Sequence, residues 1–172
     1  MALIDTLPLS EDVVRRVPKV LLHEHLDGGL RPRTVLDLAE EAGVELPATE
    51  PGALAAWFHR GANRGSLPLY LEGFGTTIAV MQSRSALHRV AKEAILDAAA
   101  ENIAYIELRF HPGFHTACGL TLEDVMNSVL AGCSEGEKET GVQWGILVCA
   151  MRNMDPATSL EMAELAVAYR DR

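Results

Sequence analysis

The chain has 172 residues, 48% of them hydrophobic and 23% charged, with a formal net charge of −9. That length suits one domain with a sizeable core, and no stretch reaches the ~18 consecutive apolar residues that a membrane span requires. The acidic balance excludes a nucleic-acid backbone as the expected partner, because phosphate binding needs clustered Lys and Arg; phosphate-free building blocks remain open.

Residues 1–14 carry acidic Asp5, Glu11 and Asp12 and lack the basic-then-apolar pattern of a secretory leader. Cys118, Cys133 and Cys149 are odd in number and contain no CxxC pair. They read as reduced thiols, which points to the cytoplasm.

The first predicted strand is the most informative segment. A buried-looking run, Val20-Leu21-Leu22, leads into His23-x-His25, then Asp27 and the Gly28-Gly29 turn. In an extended strand, side chains two apart share a face at a spacing of roughly 6.6 Å. His23, His25 and Asp27 are therefore expected on one side at the strand's end. Two imidazoles so placed can reach one metal ion, since Zn–N bonds are about 2.0–2.1 Å long.

Arg33 to Ala42 has apolar residues at helical spacing, with Gly43 as its stop. Residues 46–66 are rich in Pro and Gly, with a short helix expected over Ala53 to Arg60. Leu69 to Gln82 predicts a helix with an apolar stripe at Tyr70, Phe74 and Ile78, and Ser85 to Ala100 predicts a stronger one. Strand two is expected over Ala104 to Phe110. Its even positions are apolar, whereas Tyr105, Glu107 and Arg109 face the other way. Thr121 can cap a helix running to about Thr140 whose first turn is acidic. Val142 to Met151 reads as a third strand covered on both faces, and Asp155-Pro156 opens a last helix. Repeated strand–helix alternation predicts a parallel α/β sheet, but alternation alone does not separate a barrel from a doubly wound sheet.

The segment Pro18-Lys19-Val20-x-Leu22-His23-x-His25-Leu26-Asp27-Gly28 resembles the first barrel strand of the adenosine deaminase family of zinc amidohydrolases. Three later segments match that family in order. Leu67-Pro68-Leu69-Tyr70-Leu71-x-x-Phe74 resembles its substrate-covering helix. Tyr105-Ile106-Glu107-Leu108-Arg109-Phe110-x-Pro112 resembles its second strand, and the run from Gly141 to Cys149-Ala150-Met151-Arg152 its third. Glu24 departs from the apolar residue common at that position. The likeness covers about Leu7 to Arg172 and implies the N-terminal portion of a TIM-type (β/α)8 barrel: three βα units, with extra helices after strand one. Three strands are visible where a closed barrel has eight and needs ~250 residues. Residues 1–172 are thus expected to form an incomplete part of one metal-dependent hydrolase domain.

The resemblance implies Zn2+ as cofactor, with His23 and His25 as two of its ligands. The other ligands (a histidine and an aspartate) and the catalytic glutamate and histidine are expected beyond Arg172, so no catalytic group is assigned within the chain. It further implies that Asp27 binds a sugar hydroxyl; the residues alone allow Asp27 to be a cap of the glycine turn instead. Gly28 permits close approach of a ligand or serves the turn alone. Leu67, Tyr70, Leu71 and Phe74 would cover a purine, though such a stripe also suits ordinary core, and Met151 would touch the ligand. Glu107, Arg109 and Arg152 are expected as paired structural supports, because unpaired buried charges cost several kcal/mol. His59, His88, His111 and His115 lack metal spacing and are expected to have surface or hydrogen-bonding roles.

The zinc deaminase design built on H-x-E and P-C-x-x-C is absent from the sequence, as are a Gly-rich phosphate loop and a nucleophile elbow. The expected activity is hydrolysis of adenosine to inosine and ammonia, with a purine nucleoside as small-molecule partner. The alternatives are a related amidohydrolase acting on adenine or another purine-like base, and a non-catalytic incomplete barrel that binds a ligand or partner. With ligands missing, the isolated chain is expected to be inactive. Its open sheet edges predict poor solubility, self-association or pairing with the missing half.

Overall fold

The computed structural model describes residues 10–171; Asp5 and the rest of residues 1–9, read above for a leader, lie outside the described residues. In chain order the elements are α1 (Glu11–Arg16), β1 (Lys19–His25), α2 (Pro32–Ala42), α3 (Pro51–Ala62), α4 (Leu67–Val80), α5 (Arg84–Ala100), β2 (Ile103–Phe110), a 3-10 turn (Pro112–His115), α6 (Leu122–Thr140), β3 (Gln143–Val148) and α7 (Pro156–Tyr169). The strands form one sheet in the order β1-β2-β3, parallel throughout. Helices α2, α3 and α4 are the excursion after β1. No helix among the described residues is long and apolar enough to cross a membrane.

Local chemistry explains most boundaries. Thr121 and Asp124 form a reciprocal capping box at the start of α6, and Gly141, at φ +80°, ends that helix. Gly43, at φ +66°, ends α2 in the same way. Helix α1 has no counterpart in the sequence expectations, although Ser10 caps it and acids and bases occupy its first and last turns. It is too short for apolar periodicity to reveal.

The core lies on one face of the sheet. Ile106, Leu108 and Phe110 point into it and are at most 2% exposed, packed with Leu87, Val90 and Ile95 of α5 and Val125, Met126 and Val129 of α6. Helices α5 and α6 cross closely because glycines line the contact. A Cβ on Gly132 would lie 2.2 Å from the His88 carbonyl oxygen, and one on Gly136 would lie 2.7 Å from Ile95 Cβ.

The other face is open. Val20 and Leu22 of β1 are 61% and 54% exposed, and Leu147 of β3 is also exposed. Of the apolar run before the histidines only Leu21 packs against the core, contrary to the run's appearance in the sequence. Strand β3 stops at Val148, shorter than expected, and has no fully buried residue; it is not covered on both faces. Ala104, expected on the core side, is exposed at the start of β2. Val20, Leu22 and Leu147 meet water because no helix or strand among the described residues packs on that face of the sheet.

The ladder between β1 and β2 contains a bulge. Leu21 pairs with Ile106 and Glu24 with Leu108, so three steps on β1 match two on β2. Bulges of this kind re-aim side chains and recur beside active sites.

Candidate functional site

The bulge decides where the histidines point. Leu21 pairs with core-facing Ile106, and Glu24 with core-facing Leu108, while His25 pairs with Arg109 on the open face. Strict alternation would place Leu21 on the same side as the two rings. The extra residue at Leu22-His23 separates them. The His23 and His25 ring centroids are 5.4 Å apart with planes inclined at 37°. Two imidazoles bonded at about 2.0–2.1 Å to one tetrahedral ion have centroids on the order of 5 Å apart, so the pair fits a shared ion. No cluster of three or more His, Cys, Asp or Glu able to hold a metal occurs among the described residues. The fit is that of half a ligand set.

Asp27 follows β1 in a turn closed by the His25 carbonyl, which accepts from the amides of Gly28 (3.0 Å) and Gly29 (3.1 Å). Asp27 is 4% exposed, with its Oδ1 4.0 Å from His25 Nδ1 and without a hydrogen-bond partner. Burial pushes its carboxyl above the usual range, opposed by a hydrogen bond from its own backbone and by the charges of His25 and His111. A buried acceptor left unpaired costs roughly 1–3 kcal/mol. That orphaned oxygen suits a hydroxyl donor brought by a ligand.

Helix α4 closes over this turn through Phe74. Its ring meets His25 edge-on at 5.8 Å, and a Cβ on Gly28 would lie 3.0 Å from Phe74 Cζ. A side chain at position 28 would push the Phe74 ring back by a few tenths of an ångström. Tyr70 packs against Phe74 at 5.8 Å, whereas Leu67 and Leu71 are exposed. A cleft of about 610 Å³ between α3 and α4 is lined by Gly28, Leu30, Trp57, Phe58, Tyr70 and Phe74 among others, but by neither histidine. Of the four predicted covering residues, Phe74 touches a histidine.

On β2, Glu107 accepts from the Tyr105 hydroxyl (3.2 Å), and Arg109 donates to the Leu22 carbonyl in the bulge (3.0 Å). Glu107 and Arg109 are half-buried, and each has its own hydrogen-bond partner rather than the other. The open inner face leaves both partly hydrated. Met151 is half-buried beyond β3, and Arg152 is exposed.

His111 and His115 lie at the tip of β2 and are buried, not on the surface. His111 Nδ1 donates to the Cys149 carbonyl (2.8 Å), which ties the tips of β2 and β3 together. His115 Nδ1 donates to the Met81 carbonyl (3.1 Å), and burial lowers its pKa to about 4. Gln82 donates to the Phe114 carbonyl (2.9 Å) and accepts from the Ala117 amide (3.2 Å). The C-terminal end of α4 is therefore fastened to the loop after β2. Sequence reading missed these contacts because each partner is more than 30 residues away.

Comparison with known proteins bears on the family and the fold. The family model described as adenosine deaminase matches residues 18–172. An adenosine deaminase of Mycobacteroides abscessus is 53% identical over 165 residues, covering 92% of this chain and 45% of the relative. Among solved structures, an adenine deaminase from Arthrobacter aurescens superposes with a TM-score of 0.77 at 26% identity, covering 89% of this chain and 46% of the other. A Burkholderia ambifaria amidohydrolase solved with bound Zn has a TM-score of 0.78 at 22% identity, covering 97% and 46%, which speaks to the fold alone. The chain spans about half the length of the proteins it matches, and its sheet corresponds to the N-terminal part of their barrels. The extent and identity of these matches place the chain in the adenosine deaminase family.

Proposed function

We propose that this chain is the N-terminal part of a zinc-dependent deaminase domain that converts adenosine and water to inosine and ammonia. The observation that carries the reading is the His23–His25 pair, two rings 5.4 Å apart on the open face of a chain 53% identical to an adenosine deaminase. His23 and His25 would hold Zn2+, which when bound lowers the pKa of a water to about 7 and supplies the nucleophile. Catalytic zinc takes three protein ligands or more, so the two here need partners from the rest of the barrel, and the isolated chain lacks activity.

The remaining residues bind and orient. Asp27 offers its unpaired Oδ1 to a sugar hydroxyl, and Gly28 lets Phe74 and the ligand approach the turn. Phe74 packs on His25 and keeps water from that side of the ring; Leu67, Tyr70, Leu71 and Met151 extend the apolar cover. Expelling water strengthens electrostatic interactions at the reacting centre. Arg109 fixes the bulge by holding the Leu22 carbonyl, with Glu107 and Arg152 as further supports. The exposed inner face and strand edges bring the rest of the barrel, or failing that a second copy, against this chain.

The test uses the full-length protein. Metal analysis is paired with the absorbance change from adenosine to inosine, with adenine as the competing substrate. The reading expects about one zinc per protein and preference for adenosine; preference for adenine would favour the related base deaminase. In His25→Ala, zinc and turnover are lost together, with metal affinity lowered more than ~100-fold, since even residues behind the ligands cost 10–100-fold. A variant that retains zinc and near-normal turnover overturns the ligand assignment.

A further inference from the structure

We infer that Thr77 is a positioning residue for substrate binding that acts through Asp27. Thr77 is 4% exposed on α4. Its hydroxyl lies 2.5 Å from the Asp27 carbonyl oxygen and 3.1 Å from that of Phe74, one turn earlier in its own helix. A hydroxyl has one proton to give, and the shorter contact assigns it to Asp27. Asp27 is therefore held at its backbone by α4, while its Oδ1 remains without a protein partner.

Phe74 and Thr77, three residues apart, share a face of α4. Between them they touch His25, Gly28 and Asp27, so one helical face fixes the entire turn. Beyond Thr77, α4 is fastened by His115 and Gln82 to the loop after β2. Before Phe74, its residues Leu67, Tyr70 and Leu71 are exposed. Thr77 thus joins the turn to the anchored C-terminal end of the helix. Through it, the placement of α4 sets the direction in which the Asp27 carboxylate points.

This inference rests on the proposed role of Asp27, and the experiment separates the two. Thr77→Val keeps the shape and removes the proton. In the full-length protein it is expected to raise KM for adenosine about tenfold, the size of one lost hydrogen bond to a buried group, while kcat and zinc content hold. Thr77→Ser, which keeps the hydroxyl, is expected to restore KM. In an Asp27→Asn background, Thr77→Val should add nothing further, because residues acting as one unit are not additive. Amide exchange at residues 27–29 should quicken in Thr77→Val whatever the substrate is. Unchanged exchange, or a full additive effect on KM in the Asp27→Asn background, overturns the inference. A wild-type protein that leaves adenosine untouched while exchange still quickens overturns only the reading of the substrate.

Discussion

The two faces of the sheet differ in how far they are finished. The helix-facing side is a closed interior, with Leu87, Val125, Val129 and Leu108 at 0% exposure and glycines admitting helix against helix. The opposite side carries the histidines, Glu107, Arg109 and bare Val20 and Leu22. The buried packing of this chain lies on one face and its candidate site on the other. A parallel barrel separates those tasks in space, since its outer core can form from sequential units whereas its inside requires all of them.

The largest expected effect probes the closed side. Gly132→Val places atoms against the backbone of α5, which no rotamer relieves, and is expected to prevent stable packing of α5 on α6. Circular dichroism melting should show loss of the cooperative transition, and a normal melt would mean that the crossing can widen freely. Next comes a matched pair. Leu108→Ala should cost about 2–5 kcal/mol, whereas Leu22→Ala should stay within about 0.5 kcal/mol in this chain. Similar losses from denaturant titration would erase the contrast between the faces.

The smaller effect concerns acid. His115 is buried neutral with a pKa of about 4, against 6.5 for a free histidine. Between those values the unfolded chain binds a proton that the folded chain refuses, so stability falls as pH drops from about 6.5 towards 4. The full loss is about 3 kcal/mol, at 1.36 kcal/mol per pKa unit. His115→Gln should flatten that slope; an unchanged slope would assign the acid sensitivity to other groups.

Much of the closed side was legible in the sequence. The Thr121 cap and the Gly43 stop are local signals, and each expected helix lies within a few residues of its observed limits. The spacing of His23 and His25 drew attention for the same reason. Exposure was not legible, because whether Val20 or Leu147 meets water depends on what packs on that face of the sheet and not on the residues beside them in sequence. Nor was the bulge, which is a property of pairing with β2 and leaves no mark on β1 alone. Thr77 and His115 act across 50 and 34 residues, and nothing in their neighbours announces those contacts.

The bulge in β1 also bears on how the strand tolerates changes in length. Removing Leu22 would restore regular alternation with Leu21 outside and both imidazoles inside, at the expense of the carbonyl that Arg109 grips. Removing Glu24 instead would make the two rings sequence neighbours and turn them to opposite sides. A one-residue deletion in β1 is therefore tolerable just upstream of the paired imidazoles and disruptive between them.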